Sequence, residues 1–143
     1  MIIPDINLLI YAHNAGVPQH AKAKNWLESV FNGDATVGLS WVVILGFMRL
    51  MSNRRVLQNP WPCQDLVDAV TVWAALPHVQ IIHPGPRHLE ILGSFAHQGL
   101  LASELTTDAH LAALAIEHQA QLCSNDSDFS RFPGLRVINP LKL

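Results

Sequence analysis

Four aspartates, Asp5, Asp108, Asp126 and Asp128, are the residues whose type and placement in this chain could do chemistry. Carboxylates gathered at one point repel one another, which raises their proton affinity unless a cation neutralises them. Oxygen donors suit hard cations, and Mg2+ typically takes a few carboxylates while keeping several waters. A centre of that kind can polarise a phosphodiester oxygen, lower the pKa of a bound water, and hold attacking and leaving oxygens in line. Each acid also has an ordinary structural use. Asp108 suits a helix N-terminus through the helix dipole, Asp126 and Asp128 suit an Asx turn, and Asp5 can cap the helix that follows it. The case for chemistry is that all four fall at strand ends or at the start of a helix.

The elements that must position them alternate along the chain. Met1 to Asp5 reads as a short buried strand ending on an acid, and Leu8 to Ala12 as a short helix stopped by Gly16 and Pro18. Ala23, Trp26, Leu27, Val30 and Phe31 recur at three-and-four spacing, which predicts an amphipathic helix over 20–31. A second strand is expected over Ala35–Leu39, with Ser40 capping an apolar helix over Trp41–Met51. A polar connection, Ser52–Pro62, leads to a helix over Cys63–Ala75 and a third strand over Val79–Ile82. Pro86 suits the first turn of a helix over Arg87–His97. A loop, Gly99–Thr107, precedes a helix over Asp108–His118 with Thr107 as its cap. Strands four and five are expected at Gln121–Cys123 and Leu135–Ile138. The fold class is therefore α/β: one domain over 1–143, with a mostly parallel sheet of about five strands and helices on both faces. Ligands of such sheets bind outside the carboxyl ends of the strands, where the four aspartates lie.

Composition narrows the alternatives. Half the residues are hydrophobic and 14% are charged, enough for a buried core and against disorder. No run approaches the roughly 18 apolar residues of a membrane span, and Pro4, Asp5 and Asn7 interrupt any signal-peptide pattern. A soluble, cytoplasmic protein is expected. The net charge of −2 implies no broad basic field, although cations in an acidic pocket would reverse the charge there. Cys63 and Cys123 match no zinc-ligand spacing and read as free thiols. The eight histidines form no helical metal pair with a third ligand. Trp26, Trp41 and Trp73 fall mainly on apolar helix faces, whereas Trp61, between two prolines, is the tryptophan expected to be exposed. Asp5-Ile6-Asn7 lacks the second acid of a haloacid-dehalogenase phosphatase, and Lys22, Lys24 and Lys142 do not fit a receiver domain.

Three segments resemble PIN-domain ribonucleases. Asp5-Ile6-Asn7-Leu8-Leu9-Ile10-Tyr11 is similar to their opening D-x-N-x-L-I-Y, and Asp108-Ala109-His110-Leu111-Ala112-Ala113-Leu114-Ala115 to their D-A-x-L-A-A-L-A helix. Ser124-Asn125-Asp126-Ser127-Asp128-Phe129-Ser130-Arg131-Phe132-Pro133-Gly134-Leu135 resembles T-x-D-x-D-F-x-R-F-P-G-L. The run Gly46-Phe47-Met48-Arg49-Leu50 resembles the VapC toxins within that family. The resemblance implies a PIN-like fold and an Mg2+-dependent endoribonuclease, with Mn2+ as a substitute ion. Its further implications are an RNA substrate, a homodimer, and a cognate VapB-type antitoxin that holds the toxin inactive. By the same resemblance Asp5, Asp108 and Asp126 are metal-binding acids and Asp128 a further catalytic acid, with Asn7 and Ser124 in support. Arg49, Arg54 and Arg131 are candidate RNA contacts, since guanidinium forks match phosphate oxygens; their ordinary alternative is ion pairing with carboxylates. One departure stands out. Many members carry a glutamate on the helix after strand two, where this chain has Gly46. The rival reading is a PIN fold that binds RNA or an antitoxin without cutting.

Overall fold

Short strands pass almost directly into the helices that cover them in the computed structural model, which describes residues 1–143. The order is β1 (Ile2–Pro4), α1 (Ile6–His13), α2 (His20–Phe31), β2 (Val37–Ser40), α3 (Trp41–Met51) and α4 (Cys63–Ala74). It continues with β3 (Val79–Ile82), α5 (His88–His97), α6 (Thr106–Glu117), β4 (Gln121–Cys123) and β5 (Arg136–Ile138). Asp5 alone separates β1 from α1, and nothing separates β2 from α3. Both junctions are capped by the residue at the strand end. Asp5 Oδ1 accepts the Ile6 N–H at 2.7 Å, and Ser40 Oγ accepts the Val43 N–H at 3.3 Å.

The five strands form one parallel sheet in the order β3-β2-β1-β4-β5. Successive side chains of a strand point to opposite faces, and all four residues of β2 are buried, so both faces are covered. The chain steps from β1 to β2 to β3 in one direction, then returns past β1 to β4 and β5. Right-handed crossovers then place α1 to α4 on one face and α5 and α6 on the other. The packing agrees: α1 lies on α2 and α3, α3 on α4, and α5 on α6. The strand order reverses between β1 and β4, the position at which open α/β sheets bind ligands. In the register, Pro4 lies opposite Cys123 and Cys123 opposite Ile138. The residues that follow, Asp5, Ser124 and Asn139, therefore leave the sheet at one level.

The α/β class, the parallel sheet and the five strands match the expectation from sequence. Several boundaries differ. β2 starts at Val37 rather than Ala35. The expected loop before α6 contains a 3-10 turn, Ser103–Leu105, and α6 begins at Thr106 with no side-chain cap. Thr107 is not its cap, and the Thr106 hydroxyl instead donates to the Ala102 carbonyl at 3.2 Å. Trp61 is not the exposed tryptophan. It packs edge-on against His13 and Phe47, with ring centroids 5.4 and 6.1 Å away. Trp41, at the start of α3, is 47% exposed instead. Cys63 is exposed and Cys123 buried, and both are free. No helix is long and apolar enough to cross a membrane.

Candidate active site

Asp5 and the segment 124–128 meet at the switch point through one hydroxyl. Ser124, 1% exposed, donates from Oγ to Asp5 Oδ2 at 2.7 Å. The same oxygen accepts from Asn7 Nδ2 at 3.2 Å and from the Asp126 N–H at 2.9 Å. One donor and two acceptor positions are all that a serine hydroxyl has, so the junction is saturated. Asn7 reaches the segment a second time, its Oδ1 accepting the Asn125 N–H at 3.3 Å. Asn125 Oδ1 in turn accepts from Asn139 Nδ2 at 2.9 Å, which ties in the end of β5. Asp126 caps the turn Ser127–Arg131, its Oδ1 accepting the Asp128 N–H at 2.9 Å. The Asx-turn use and the clustering of acids therefore coexist at the same residues.

The acids come together in two tiers. Asp108, Asp126 and Asp128 each present a carboxylate oxygen within 4.8 Å of the other two. Asp5 is outside that group, 9% exposed with both oxygens engaged as described, yet near enough for its charge to act on Asp108. Mutual repulsion is visible in the proton affinities. Burial, then the charges of Asp126, Asp5 and Asp128, push the Asp108 carboxyl up to about 6. Burial raises Asp5 as well, against the lowering effect of the Ser124 and Ile6 hydrogen bonds. A self-repelling set made wholly of oxygen donors fits a hard divalent cation, which would remove the penalty that raises these values.

The candidate RNA contacts divide, and two further polar residues near Asp108 in sequence, Glu104 and His110, stay outside the acidic group. Arg131 lies beside the acids, its Nη2 3.6 Å from Asp128 Oδ1, with both side chains about half exposed. Arg49, in the last turn of α3, lines a shallow depression with Met48, Ser52, Cys63, Leu66 and Val67, and no aspartate of the cluster lines it. Arg54 is exposed in the connection after α3 and makes no ion pair. Glu104, near Asp108 in sequence, is exposed and outside the carboxylate group. His110 turns from the acids to a histidine on α5, His88 Nε2 lying 3.0 Å from His110 Nδ1. Sequence pattern alone assigns no role to Asn125 or Asn139. The signal that finds Asn139 is its position directly after β5, level with Ser124.

Gly46 has a specific neighbour. A Cβ there would lie 2.5 Å from Ile6 Cδ1 and 3.0 Å from Ile6 Cγ1. The glycine allows α3 to approach α1 at the residue after Asp5.

A parallel sheet with acids at its switch point suits metal-assisted hydrolysis of a phosphodiester. The family described as PIN domain matches residues 2–135, and the chain belongs to that family. Within it, the chain belongs with the VapC ribonucleases. It is 43% identical over 142 residues to Ribonuclease VapC33 of Mycobacterium tuberculosis, covering 99% of each. Ribonuclease VapC37 of the same organism is 38% identical over 140 residues, covering 98% of this chain and 97% of the relative. Among solved structures, VapBC2 from Rickettsia felis, bound to a DNA fragment from their promoter, shares the fold. Its TM-score is 0.66 at 23% identity, covering 97% of this chain and 98% of that one.

Proposed function

We propose that this chain is a divalent-metal-dependent endoribonuclease, the toxin of a VapBC-type pair, with Mg2+ as the ion and Mn2+ as a substitute. The observation that carries the reading is the convergence of Asp108, Asp126 and Asp128 beside Asp5 at the switch point. Support comes from relatives at 43% and 38% identity that are named ribonucleases. A bound ion at these carboxylates would supply charge neutralisation for the phosphodiester and an acidified water.

The chain's own residues prepare that chemistry. Ser124 and the Ile6 N–H fix the Asp5 carboxylate in one orientation, and Asn7 fixes Ser124. Asp126 shapes the turn that presents Asp128. Arg131, beside Asp128 yet open to solvent, suits a phosphate of the RNA. Arg49 and Arg54 would serve only an RNA strand that extends away from the acids. The remaining parts of the reading are a VapB-type antitoxin as partner, a homodimer, a cytoplasmic location, and residues 1–143 acting together as one PIN domain.

The test is cleavage of a single-stranded RNA with Mg2+ or Mn2+. Asp5→Asn should lower the rate by at least ~100-fold, the scale of losing a preorganised electrostatic group, with folding retained. Cleavage that persists in that variant, or in excess chelator, removes the mechanism. The competing reading, an RNA- or antitoxin-binding module that does not cut, draws on Gly46. It predicts RNA binding without turnover in the wild type.

A further inference from the structure

We infer that Asn139 is a positioning residue for the acidic turn, acting through Asn125 to hold Asp126 and Asp128 against their mutual repulsion. The inference rests on the ribonuclease reading above and adds a part to that site. Asn139 lies beyond residue 135, where the match to the PIN domain ends. It directly follows β5 and caps the last turn, Pro140–Lys142, its Oδ1 accepting the Leu141 N–H at 3.0 Å. That turn is a fixed post. Leu141 is buried in the core, and its carbonyl accepts from Lys22 Nζ of α2 at 3.3 Å.

Two backbone N–H groups, which can only donate, set the direction of every bond in the brace. The Leu141 N–H requires an oxygen at Asn139, so the Asn139 amide nitrogen faces Asn125, which meets it with Oδ1 at 2.9 Å. The Asn125 N–H likewise requires an oxygen at Asn7, so Asn7 Nδ2 faces Ser124 Oγ. The Ser124 hydrogen is then left for Asp5 Oδ2. Capping the last turn needs only an oxygen, which a serine supplies as well. The Asn139 donor serves Asn125 alone.

Residue 125 is thus held by its side chain to the C-terminal turn and by its backbone to α1. The Ser124 N–H, donating to the Ile138 carbonyl at 3.0 Å, adds the last strand. Asp126 follows immediately, and it and Asp128 bring oxygens within 4.8 Å of each other and of Asp108. Like charges so close push apart, and Asp128 is carried only by a 3-10 turn of five residues. A brace at 125 keeps the carboxylates gathered before a cation arrives, so less ordering remains to be done on binding.

The test is a double-mutant cycle on the full chain, with Mn2+ affinity read by electron paramagnetic resonance and RNA cleavage measured alongside. Asn139→Ser keeps an oxygen for the Leu141 N–H but cannot reach Asn125. It should weaken Mn2+ binding about 10-fold, the lower end of the loss when a residue supporting a metal ligand is removed. At a fixed Mn2+ concentration it should lower kcat and leave the KM for RNA unchanged. In chelator, amide exchange at Asp126 and Asp128 should quicken while that at Leu141 holds. Asn125→Ala, which leaves the C-terminal turn alone, should show the same losses, and adding Asn139→Ser to it should cost nothing more. Wild-type Mn2+ affinity in Asn139→Ser, or a further loss of the same size in the Asn125→Ala background, would overturn the inference. Mn2+ binding by the wild type without RNA cleavage would overturn the ribonuclease reading and leave the inference standing. No Mn2+ binding by the wild type would overturn the metal site, and unaltered exchange at Asp126 and Asp128 in Asn139→Ser would then overturn the inference as well.

Discussion

Ser124 carries more of the site than its size suggests. Its hydroxyl serves Asp5, Asn7 and the Asp126 N–H together, in a position 1% exposed. Ser124→Ala would leave a buried carboxylate oxygen and two N–H donors short of a partner in the protein. Hydrogen bonds to a charged group contribute roughly 1.5–3 kcal/mol, and an orphaned donor costs a further ~1 kcal/mol or more. The variant should therefore unfold at least ~2 kcal/mol more easily in urea and cut RNA more slowly. Ser124→Thr, which keeps the hydroxyl, should restore both. An alanine variant with the wild-type urea midpoint would show that water replaces the hydroxyl at no cost. Ser124 was legible in the sequence because it opens a recognisable acidic segment. Its saturation was not legible, since the partners Asn7 and Asp5 lie 117 and 119 positions away.

At the scale of elements, what was readable was what is local. α2, α3, β3 and β4 fall where periodicity, β-branching and capping residues place them. The α3 start is the clearest instance, because Ser40 is the last residue of β2 and the cap of the helix that leaves it. Ser40→Ala should cost about 1 kcal/mol, the usual loss for an N-cap. It should also weaken α3 against α1, since the Gly46–Ile6 contact relies on the same helix. Hydrogen exchange at the Val43 amide should rise more than at amides of α5; equal protection in wild type and variant would mean that the cap contributes nothing. Features set by distant packing were not readable. The sequence makes Thr107 the cap of α6 and Asp108 its first residue, but the 3-10 turn before them, invisible to periodicity, brings the start forward to Thr106. Flanking prolines suggested an exposed Trp61, but His13 and Phe47, brought from α1 and α3, close over it. The Gly46–Ile6 contact joins two helices and leaves no trace in either one alone.

For the whole molecule, the acidic pocket links stability to pH. Asp108 is raised from 3.8 to about 6, first by burial and then by Asp126, Asp5 and Asp128. An acid raised on folding holds its proton more tightly in the folded chain. Its contribution is fully present below the unfolded value near 4 and is lost as pH rises through about 6. Three histidines, His13, His88 and His110, are lowered by burial and act in the opposite sense, since the unfolded chain binds their protons better. A melting curve of the wild type alone therefore mixes the two. The difference between wild type and Asp108→Asn isolates the acid, to the extent that the histidine contributions are common to both chains. In chelator, Asp108→Asn should match the wild type near pH 4 and become more stable than it near pH 7. The gain should be on the order of 1–2 kcal/mol once solvent screening of a partly exposed carboxylate is allowed for. On the proposed reading millimolar Mg2+ should then reverse the order at the higher pH, because an ion that binds only the folded chain stabilises it by RT ln(1 + [L]/Kd) and the variant would lack one of the proposed ligands. Parallel curves for the two proteins across that range would mean that the four aspartates do not repel one another as their arrangement requires. A pH-dependent gap that Mg2+ leaves untouched would mean that the pocket takes no cation.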